Sequence, residues 1–440
     1  MTTTLSFDDR DEFNRKPIAE KFLRLLDSDI KFSPIVINGG WGTGKTEFSK
    51  KVASLIQEKK PNNKVVFIDA FSEDYGNASL LTIIAAIASL YPEEAQTSLI
   101  SKTLPALRFS LKTVMKAGTG WVLKQNADDI AEGFEDALKD AANSMIDKTV
   151  ETMMKDHIES KENMEALRNA LIELTKNSKI TIIIDELDRC KPSFALSIIE
   201  NIKHVFDIEN LCFILVANIE QLKNSIDHLY GSSVNSHKYL DKFIKYSFTI
   251  PQNFMAAGYL DVEASGVHWQ NLSRGSIYLS CINHNHDIFM ISVIKHFKLT
   301  LREVETLARY LESYQLLTDN GINNTNIIYE SSYRILSVLV YCFNQDLAIK
   351  YIQGTSIADE IVDFFKITHF KYKTNINSIS PIDIFTFGIC FEYLDSTSKH
   401  YPIDSRVRQE WIDAATHCSG FIIDPSKIFK DTIKTISLRN

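Results

Sequence analysis

The sequence predicts a doubly wound α/β fold, a parallel sheet with helices on its faces, followed by a mostly helical C-terminal region. Three observations carry this expectation. Five short runs rich in apolar and β-branched residues alternate with stretches of helical period. The first run enters a glycine-rich turn that leaves as a helix. The third run ends in two adjacent carboxylates, Asp185 and Glu186.

Residues 6–26 read as a polar lead and a helix, with Pro17 suited to its first turn and Ile18, Phe22, Leu25 and Leu26 at helical spacing. The first strand, Ile35 to Ile37, opens the stretch IVINGGWGTGKT, which fits G-x-x-x-x-G-K-[ST] with Gly39 first and Gly44 sixth. Small residues there let main-chain N–H groups converge on phosphate oxygens where a side chain would block the approach. The helix that follows adds its unpaired first-turn N–H groups and the positive end of its dipole. The binding candidates are therefore Gly39, Gly40, Trp41, Gly42, Thr43, Gly44, Lys45, Thr46 and Glu47. Lys45 brings a point charge to the β- and γ-phosphates, and Thr46 offers a hydroxyl to Mg²⁺.

The helix after the loop shows Phe48, Val52, Leu55 and Ile56 on one face and runs out at Pro61. A second buried strand is expected in KVVFIDAF, Lys64 to Phe71. Asp69 ends it either as a ligand at the sheet's carboxyl edge or as a helix or turn cap. From Glu73 to Asn177 there is no strand signal; Met153, Met154, Met164, Leu167, Leu171 and Leu174 are candidate core residues of a helical insertion. Its part Glu94 to Thr149 is either a partner-binding element or a cap on the domain.

Ile180 to Ile184 form the expected central strand, delivering Asp185 and Glu186 to the carboxyl edge. Beside a phosphate loop, Asp185 suits an ion held opposite Thr46, and Glu186 suits a general base that polarises water. Asp188 and Arg189 are either a salt-bridged turn or, for the arginine, a reach toward a neighbouring subunit's phosphate. After a helix over Phe194 to Phe206, the strand LCFILVAN ends in Asn218, which caps the next helix, orients the attacking water, or does both. A fifth strand, Lys245 to Ile250, stops at Pro251.

Further on, Lys298 to Tyr314 is a helix with a capping box, Thr300 at the cap and Glu303 reaching back, and an apolar stripe of Leu301, Val304, Leu307, Ala308 and Leu311. Arg302 sits in its first turn, an electrostatically poor place for a cation that only supports a helix. Residues 325–440 are helical and rich in aromatics such as Tyr333, Phe365, Phe385 and Phe387, which read as core. His284 and His286 share a side only in an extended chain, and no carboxylate or cysteine pattern accompanies them.

With 440 residues the chain has room for two or three domains, and a 45% hydrophobic content suffices for full cores. A net charge of -8 leaves no basic excess to neutralise phosphates, which argues against a dedicated nucleic-acid binder. Six scattered cysteines without a C-x-x-C pair point to reduced thiols and a cytoplasmic location. The acidic N-terminus argues against a signal peptide. The longest apolar run, Leu80 to Tyr91, is too short to cross a bilayer and reads as a buried core helix, so no transmembrane span is expected. Phe109 to Val122, with Lys112 and Lys116, reads as an amphipathic helix with one basic face, which is either a solvated face, the reading base rates favour, or a membrane-surface face.

GGWGTGKT, the IDELDRCKP run (Ile184 to Pro192), LVANIEQL (Leu215 to Leu222) and YLDKFIKYSFTIP (Tyr239 to Pro251) together resemble the KAP group of P-loop NTPases. The likeness covers roughly residues 8–320, interrupted by the Glu73 to Asn177 stretch. Together with the helical periods read above, it gives an expected division into a P-loop NTPase core over 1–72 and 178–255, a helical insertion over 73–177, a helical lid over 256–320 and a helical C-terminal domain over 321–440. It further implies ATP and magnesium as ligands, with Arg302 as a second sensor of the γ-phosphate, set against a surface salt bridge. Members commonly place helices in the insertion, sometimes membrane-spanning ones, and this chain has no such span. They usually show two Asp where this chain has Asp185 and Glu186, which favours hydrolysis, and often Asp in place of Asn218.

The resemblance implies an ATPase that drives a conformational switch, in defence against phages or plasmids, with a protein effector or self-association as partner. The rival is an ATP-bound scaffold with little turnover. A nuclease or translocase lacks both a further metal-carboxylate motif and a basic excess.

Overall fold

The computed structural model describes residues 5–28, 30, 32–76, 78–93, 96, 150–176, 178–231, 233–256, 259–322, 328–354, 358–367, 370, 381–391, 394, 398–402, 404–419 and 424–439. It forms two compact units, Met1–Pro251 and Gln252–Asn440. The expected partner-binding stretch beyond residue 96 and the basic-faced helix over 109–122 lie outside the described residues.

The first unit is built on β1 (Ile35–Asn38), β2 (Lys64–Asp69), β3 (Ile180–Asp185), β4 (Leu211–Ala217) and β5 (Tyr246–Thr249). All are parallel, in the order β2-β3-β4-β1-β5. Successive side chains of a strand point to opposite faces, and here both faces are dry. Leu211, Phe213, Leu215 and Ala217 of β4 join one core, while Cys212, Ile214 and Val216 join the other. Such two-sided burial explains why these strands read as unbroken apolar runs.

Helices α1 (Lys16–Leu26) and α2 (Lys45–Lys59) cover one face, burying Ala19, Phe22 and Leu23 of α1 and Phe48, Val52, Leu55 and Ile56 of α2. The stripe of α1 is thus rotated from the expected one, with Ile18 and Leu25 only partly buried. After the single turn α3 (Ala70–Glu73), the helix α4 (Ser79–Ala88) and the long α5 (Val150–Thr175) pack on the other face through Leu80, Ile83, Ile84, Ile87, Leu167 and Leu171. The two described ends of the expected insertion therefore complete the sheet's cover. The apolar run at Leu80 is a core helix, as expected. Met164 and Leu174 pack at the margin of that core, and the side chains of Met153 and Met154 lie outside the described residues.

The second strand departs from expectation. It stands at the end of the strand order, and Lys64 to Phe67 are only half-buried. An edge strand has one neighbour, so β-branched content alone does not make it a central strand.

The crossover helix α6 (Pro192–His204) and the helix α7 (Ile219–Tyr230), followed by the short α8 (Ser236–Leu240), return the chain to β5.

The second unit opens with an antiparallel pair, β6 (Asn253–Ala256) and β7 (Tyr259–Glu263). No strand was expected there, since four residues mixing Ala and Met with β-formers carry little period-2 signal. Helices α9 (Ala264–Gly275), α10 (Ser280–Phe297) and α11 (Leu301–Leu317) follow, then α12 (Ile328–Phe343), α13 (Gln345–Gln353), α14 (Ala358–Phe364), α15 (Pro381–Cys390), α16 (Ser405–Ser419) and α17 (Pro425–Ile436). One core runs through them from Trp269 to Ile436, so the stretches expected as lid and C-terminal domain share their packing. The capping box is present: Thr300 Oγ1 accepts from Glu303 N at 3.3 Å, and Glu303 accepts from Thr300 N at 2.8 Å.

Tyr333, Phe365, Phe370, Phe385 and Phe387 are core, whereas Tyr329 and Phe391 are exposed. The NHNH stretch lies in α10, where His286 is buried and the side chain of His284 is outside the described residues. Among the described residues no group of three metal-binding side chains forms, and no single helix is long and apolar enough to cross a membrane. A bent pair, Tyr329–Phe343 with Gln345–Gln353, passes on composition, but its apolar residues lie in the core of this unit.

Leu215 is fully buried on the central strand and Leu316 is 60% exposed. Leu215→Ala is expected to destabilise the first unit by about 3 kcal/mol through transfer loss and cavity formation, and Leu316→Ala by under about 0.5 kcal/mol. Urea unfolding followed by circular dichroism distinguishes the two.

Candidate functional site

The phosphate loop takes its shape from backbone that only glycine adopts easily. Gly42 and Gly44 have φ of 73° and 82°, a region that costs a side-chain-bearing residue roughly 1–2 kcal/mol. Gly39 is required for space instead: a Cβ there would meet Thr43 Oγ1 at 2.8 Å and Lys45 Cγ and Cδ at 3.3 Å. Thr43 Oγ1 donates to Gly40 O at 2.9 Å, and Arg15, buried beside the start of α1, donates from Nη2 to Thr43 O at 3.1 Å. Burial pulls the Arg15 guanidinium below its ordinary range, against the raising effect of Glu47, Asp11 and Glu12. Arg15 as a brace on the loop escaped the sequence reading, because nothing in its neighbours signals that a cation will be buried.

Gly44 stands at the N-cap of α2 with no side chain capping that end. The first-turn N–H groups therefore have no capping acceptor, the arrangement that suits an anion. Lys45 Nζ donates to Gly39 O at 2.8 Å and Gly40 O at 2.9 Å. Its pKa is lowered, chiefly by burial, while Asp188, Asp185 and Glu186 favour its charge. The Glu47 side chain is tied to Lys51 at 2.7 Å and Arg10 at 3.7 Å, which leaves its main chain as the part available to a ligand at the helix start.

The acidic pair arrives from β3, separated from β1 by β4. Asp185 is 2% exposed and lies in register with Asp69 of β2. Burial pushes its carboxyl up, opposed by hydrogen bonds from the Thr46 hydroxyl and from Glu186 N, the latter at 2.9 Å. Thr46 and Asp185, expected on opposite sides of a metal, are thus in contact. Glu186 adopts φ 58°, ψ 23°, a left-handed conformation rare for a side-chain-bearing residue and concentrated at functional sites. Its carboxyl is also raised, first by burial and then by Asp185, Asp188 and Asp69, with Arg189 opposing.

The following turn, Leu187–Arg189, is salt-bridged, as one of the two readings expected. Arg189 Nε pairs with the Glu186 carboxylate. Asp188 accepts from the indole of Trp41 at 2.8 Å, a direct tie between the acidic turn and the phosphate loop. Trp41 is itself 51% exposed, so its conspicuous place in the loop serves this tether rather than the core.

Asn218 caps α7, accepting from Glu220 N at 3.1 Å. That bond uses its oxygen and leaves the amide N–H groups without a partner among the described residues, so capping and orienting water are compatible. Asp69 likewise caps, accepting from Ser72 N at 3.1 Å. Asn38, unremarked in the sequence, links the same edge: Oδ1 accepts from Ile219 N at 3.0 Å and Nδ2 donates to Thr249 Oγ1 at 3.0 Å. Arg302 belongs to the second unit, where it is exposed and makes no ion pair among the described residues. The surface salt bridge expected as its alternative is not seen among the described residues.

The residues present fit a magnesium-bound nucleotide. The loop is a cradle that a Cβ at Gly39 would fill, and the hydroxyl–carboxylate pair of Thr46 and Asp185 is the oxygen donor set that a hard cation takes. Gly39→Ala is expected to weaken nucleotide binding by at least about tenfold in titration calorimetry, because Thr43 and Lys45 must both shift. An unchanged affinity would show that the loop accommodates the methyl.

The chain matches the family model described as KAP family P-loop domain over residues 15–318, more than half its length. A comparison with curated proteins finds no match. With its glycine cradle, Lys45, and the Asp185 and Glu186 pair on one sheet edge, the chain belongs to the KAP family of P-loop nucleotide-binding and, in general, nucleotide-hydrolysing domains.

Proposed function

We propose that this protein is a magnesium-dependent ATPase whose turnover drives a conformational switch. The observation that supports this best is the convergence of Lys45, Thr46, Asp185 and Glu186 on one carboxyl edge, with the two acids coupled to Lys45. In this reading the loop N–H groups and the Lys45 ammonium hold the β- and γ-phosphates of the substrate. Thr46 and Asp185 would hold Mg²⁺, which supplies neutralisation of phosphate charge when bound.

Glu186 accepts a proton from the attacking water as its oxygen bonds to the γ-phosphorus. The bond from that phosphorus to the bridging oxygen breaks, leaving ADP and inorganic phosphate, and the proton passes on to solvent. The raised carboxyl of Glu186 suits a base whose affinity for protons exceeds that of an exposed glutamate. Asn218 orients the water through its unused amide donors. Arg302 as a second sensor of the γ-phosphate is carried over from the family resemblance, and its place in the first turn of a capped helix, with no ion pair among the described residues, is compatible with that role. Loss of the γ-phosphate is then the event that the sensor reads. ATP as the nucleotide, a cytoplasmic setting, a protein effector or self-association, and a place in antiphage or antiplasmid defence follow from the same resemblance and the reduced-thiol composition.

Glu186→Gln is expected to lower phosphate release by about 10²–10⁴-fold while leaving ATP affinity nearly intact. Lys45→Ala is expected to abolish nucleotide binding with the circular dichroism spectrum unchanged. Equal, negligible release by wild type and Glu186→Gln together with tight ATP retention would overturn the ATPase in favour of a nucleotide-bound scaffold.

A further inference from the structure

Arg189 is the charged group at this edge that the proposed chemistry leaves without a task. Its side chain is 32% exposed, and its shortest contact, to the Glu186 carboxylate, is made by Nε. Among the described residues its Nη1 and Nη2 groups have no hydrogen-bond partner. The nearest competitor in sequence, Asp188, is occupied by the Trp41 indole. The turn is closed by Arg189 N donating to Glu186 O at 3.0 Å, so the base and the arginine sit on one short, constrained piece of backbone.

The residue before Arg189 joins this turn to the phosphate loop, since Asp188 accepts from the Trp41 indole at 2.8 Å, and the electrostatics agree. The charge of Arg189 opposes that of the Lys45 ammonium, while Asp185, Glu186 and Asp188 favour it. Two cations thus act on one another and on the same acids, and Asp69 of β2 acts on the two carboxylates as well. A triphosphate entering beside Lys45 meets a planar fork with one side taken and the rest unclaimed. Guanidinium groups hold carboxylate and phosphate oxygens through paired donors in fixed geometry, which an ammonium cannot reproduce. A partly exposed ion pair serving only the turn would contribute little to stability and distinguish no nucleotides.

We propose that Arg189 is a positioning residue that ties the base to the substrate: Nε keeps the Glu186 carboxylate, and the Nη donors take γ-phosphate oxygens of the bound nucleoside triphosphate. The guanidinium that already holds the base is thereby anchored to the terminal phosphate. This rests on the reading of Lys45 and Glu186 as the hydrolytic site.

The test uses the full chain with Mg²⁺, comparing wild type, Arg189→Ala and Arg189→Lys. Titration calorimetry gives affinities for ADP and the non-hydrolysable triphosphate AMPPNP, and phosphate release and the thermal midpoint are followed in parallel. Arg189→Ala is expected to lose about tenfold or more in AMPPNP affinity, to keep ADP affinity within about twofold, and to lose about 10²-fold in kcat. Arg189→Lys is expected to recover AMPPNP affinity but not kcat, because a point charge binds phosphate without holding Glu186 as well. Equal effects on both nucleotides, no effect on either, or full recovery of kcat in Arg189→Lys would overturn the proposal. Failure of the underlying site has a separate signature, a folded wild type that binds neither nucleotide or a Glu186→Gln chain that turns over normally, and would remove the proposal with it.

Discussion

A buried carboxylate at the end of a central strand is the constraint around which the first unit is arranged. Asp185 is almost wholly withdrawn from water, and its environment favours its charge only through the Thr46 hydroxyl, the Glu186 amide and Lys45. Each of those groups comes from a different part of the chain's logic. Thr46 and Lys45 are delivered by the loop after β1, and the amide by the strained residue after β3. For them to meet, β3 must lie close to β1 with its carboxyl end aligned, which the order β2-β3-β4-β1-β5 and its parallel register provide. Burying an acid costs free energy unless partners are present. Because its carboxyl is raised despite these partners, the acid is held there at a cost to stability, a cost that would grow if the two strands were separated.

The same edge shows how a short turn holds several charges in defined places. Glu186 accepts a left-handed backbone, and its carboxylate is met by Arg189 three residues on. Asp188 points to the loop and is met by Trp41. Alternate residues of the turn thus face different partners, and the phosphate loop and acidic turn are coupled through an indole hydrogen bond as well as through charge. Asn38 and Asn218 complete the edge by tying β1, β5 and the start of α7 through side-chain amides. Such cross-links matter because the carboxyl ends of parallel strands leave backbone groups that the sheet itself does not satisfy.

The second unit follows a different principle. Its stability comes from one continuous core reaching from Trp269 to Ile436, dense in edge-to-face aromatic pairs such as Phe370 with Trp411 at 4.8 Å and Tyr333 with Phe385 at the same distance. The capped helix α11 is a local certainty within it, since Thr300 and Glu303 satisfy each other's backbone groups whatever lies around them. Arg302 is held at the start of that helix while its own side chain is left to solvent.

The sequence by itself determined the parallel sheet, the loop and its helix, the acidic pair, the buried helix at Leu80 and the capping box. Each of these is written in local periodicity, glycine spacing or a four-residue motif, so neighbours along the chain suffice to specify it. Only the tertiary structure decided that β2 is an edge strand, that Arg15 braces the loop, that Trp41 joins Asp188 and that one core spans residues 269–436. These depend on residues far apart in sequence whose contact follows from strand order and helix packing. A short apolar strand looks the same at a sheet's edge as at its centre, and an arginine carries no sequence mark of being buried. Contacts of that kind are set by which surfaces remain to be covered once the sheet has formed, and that information lies in the packing of the whole rather than in any segment of it.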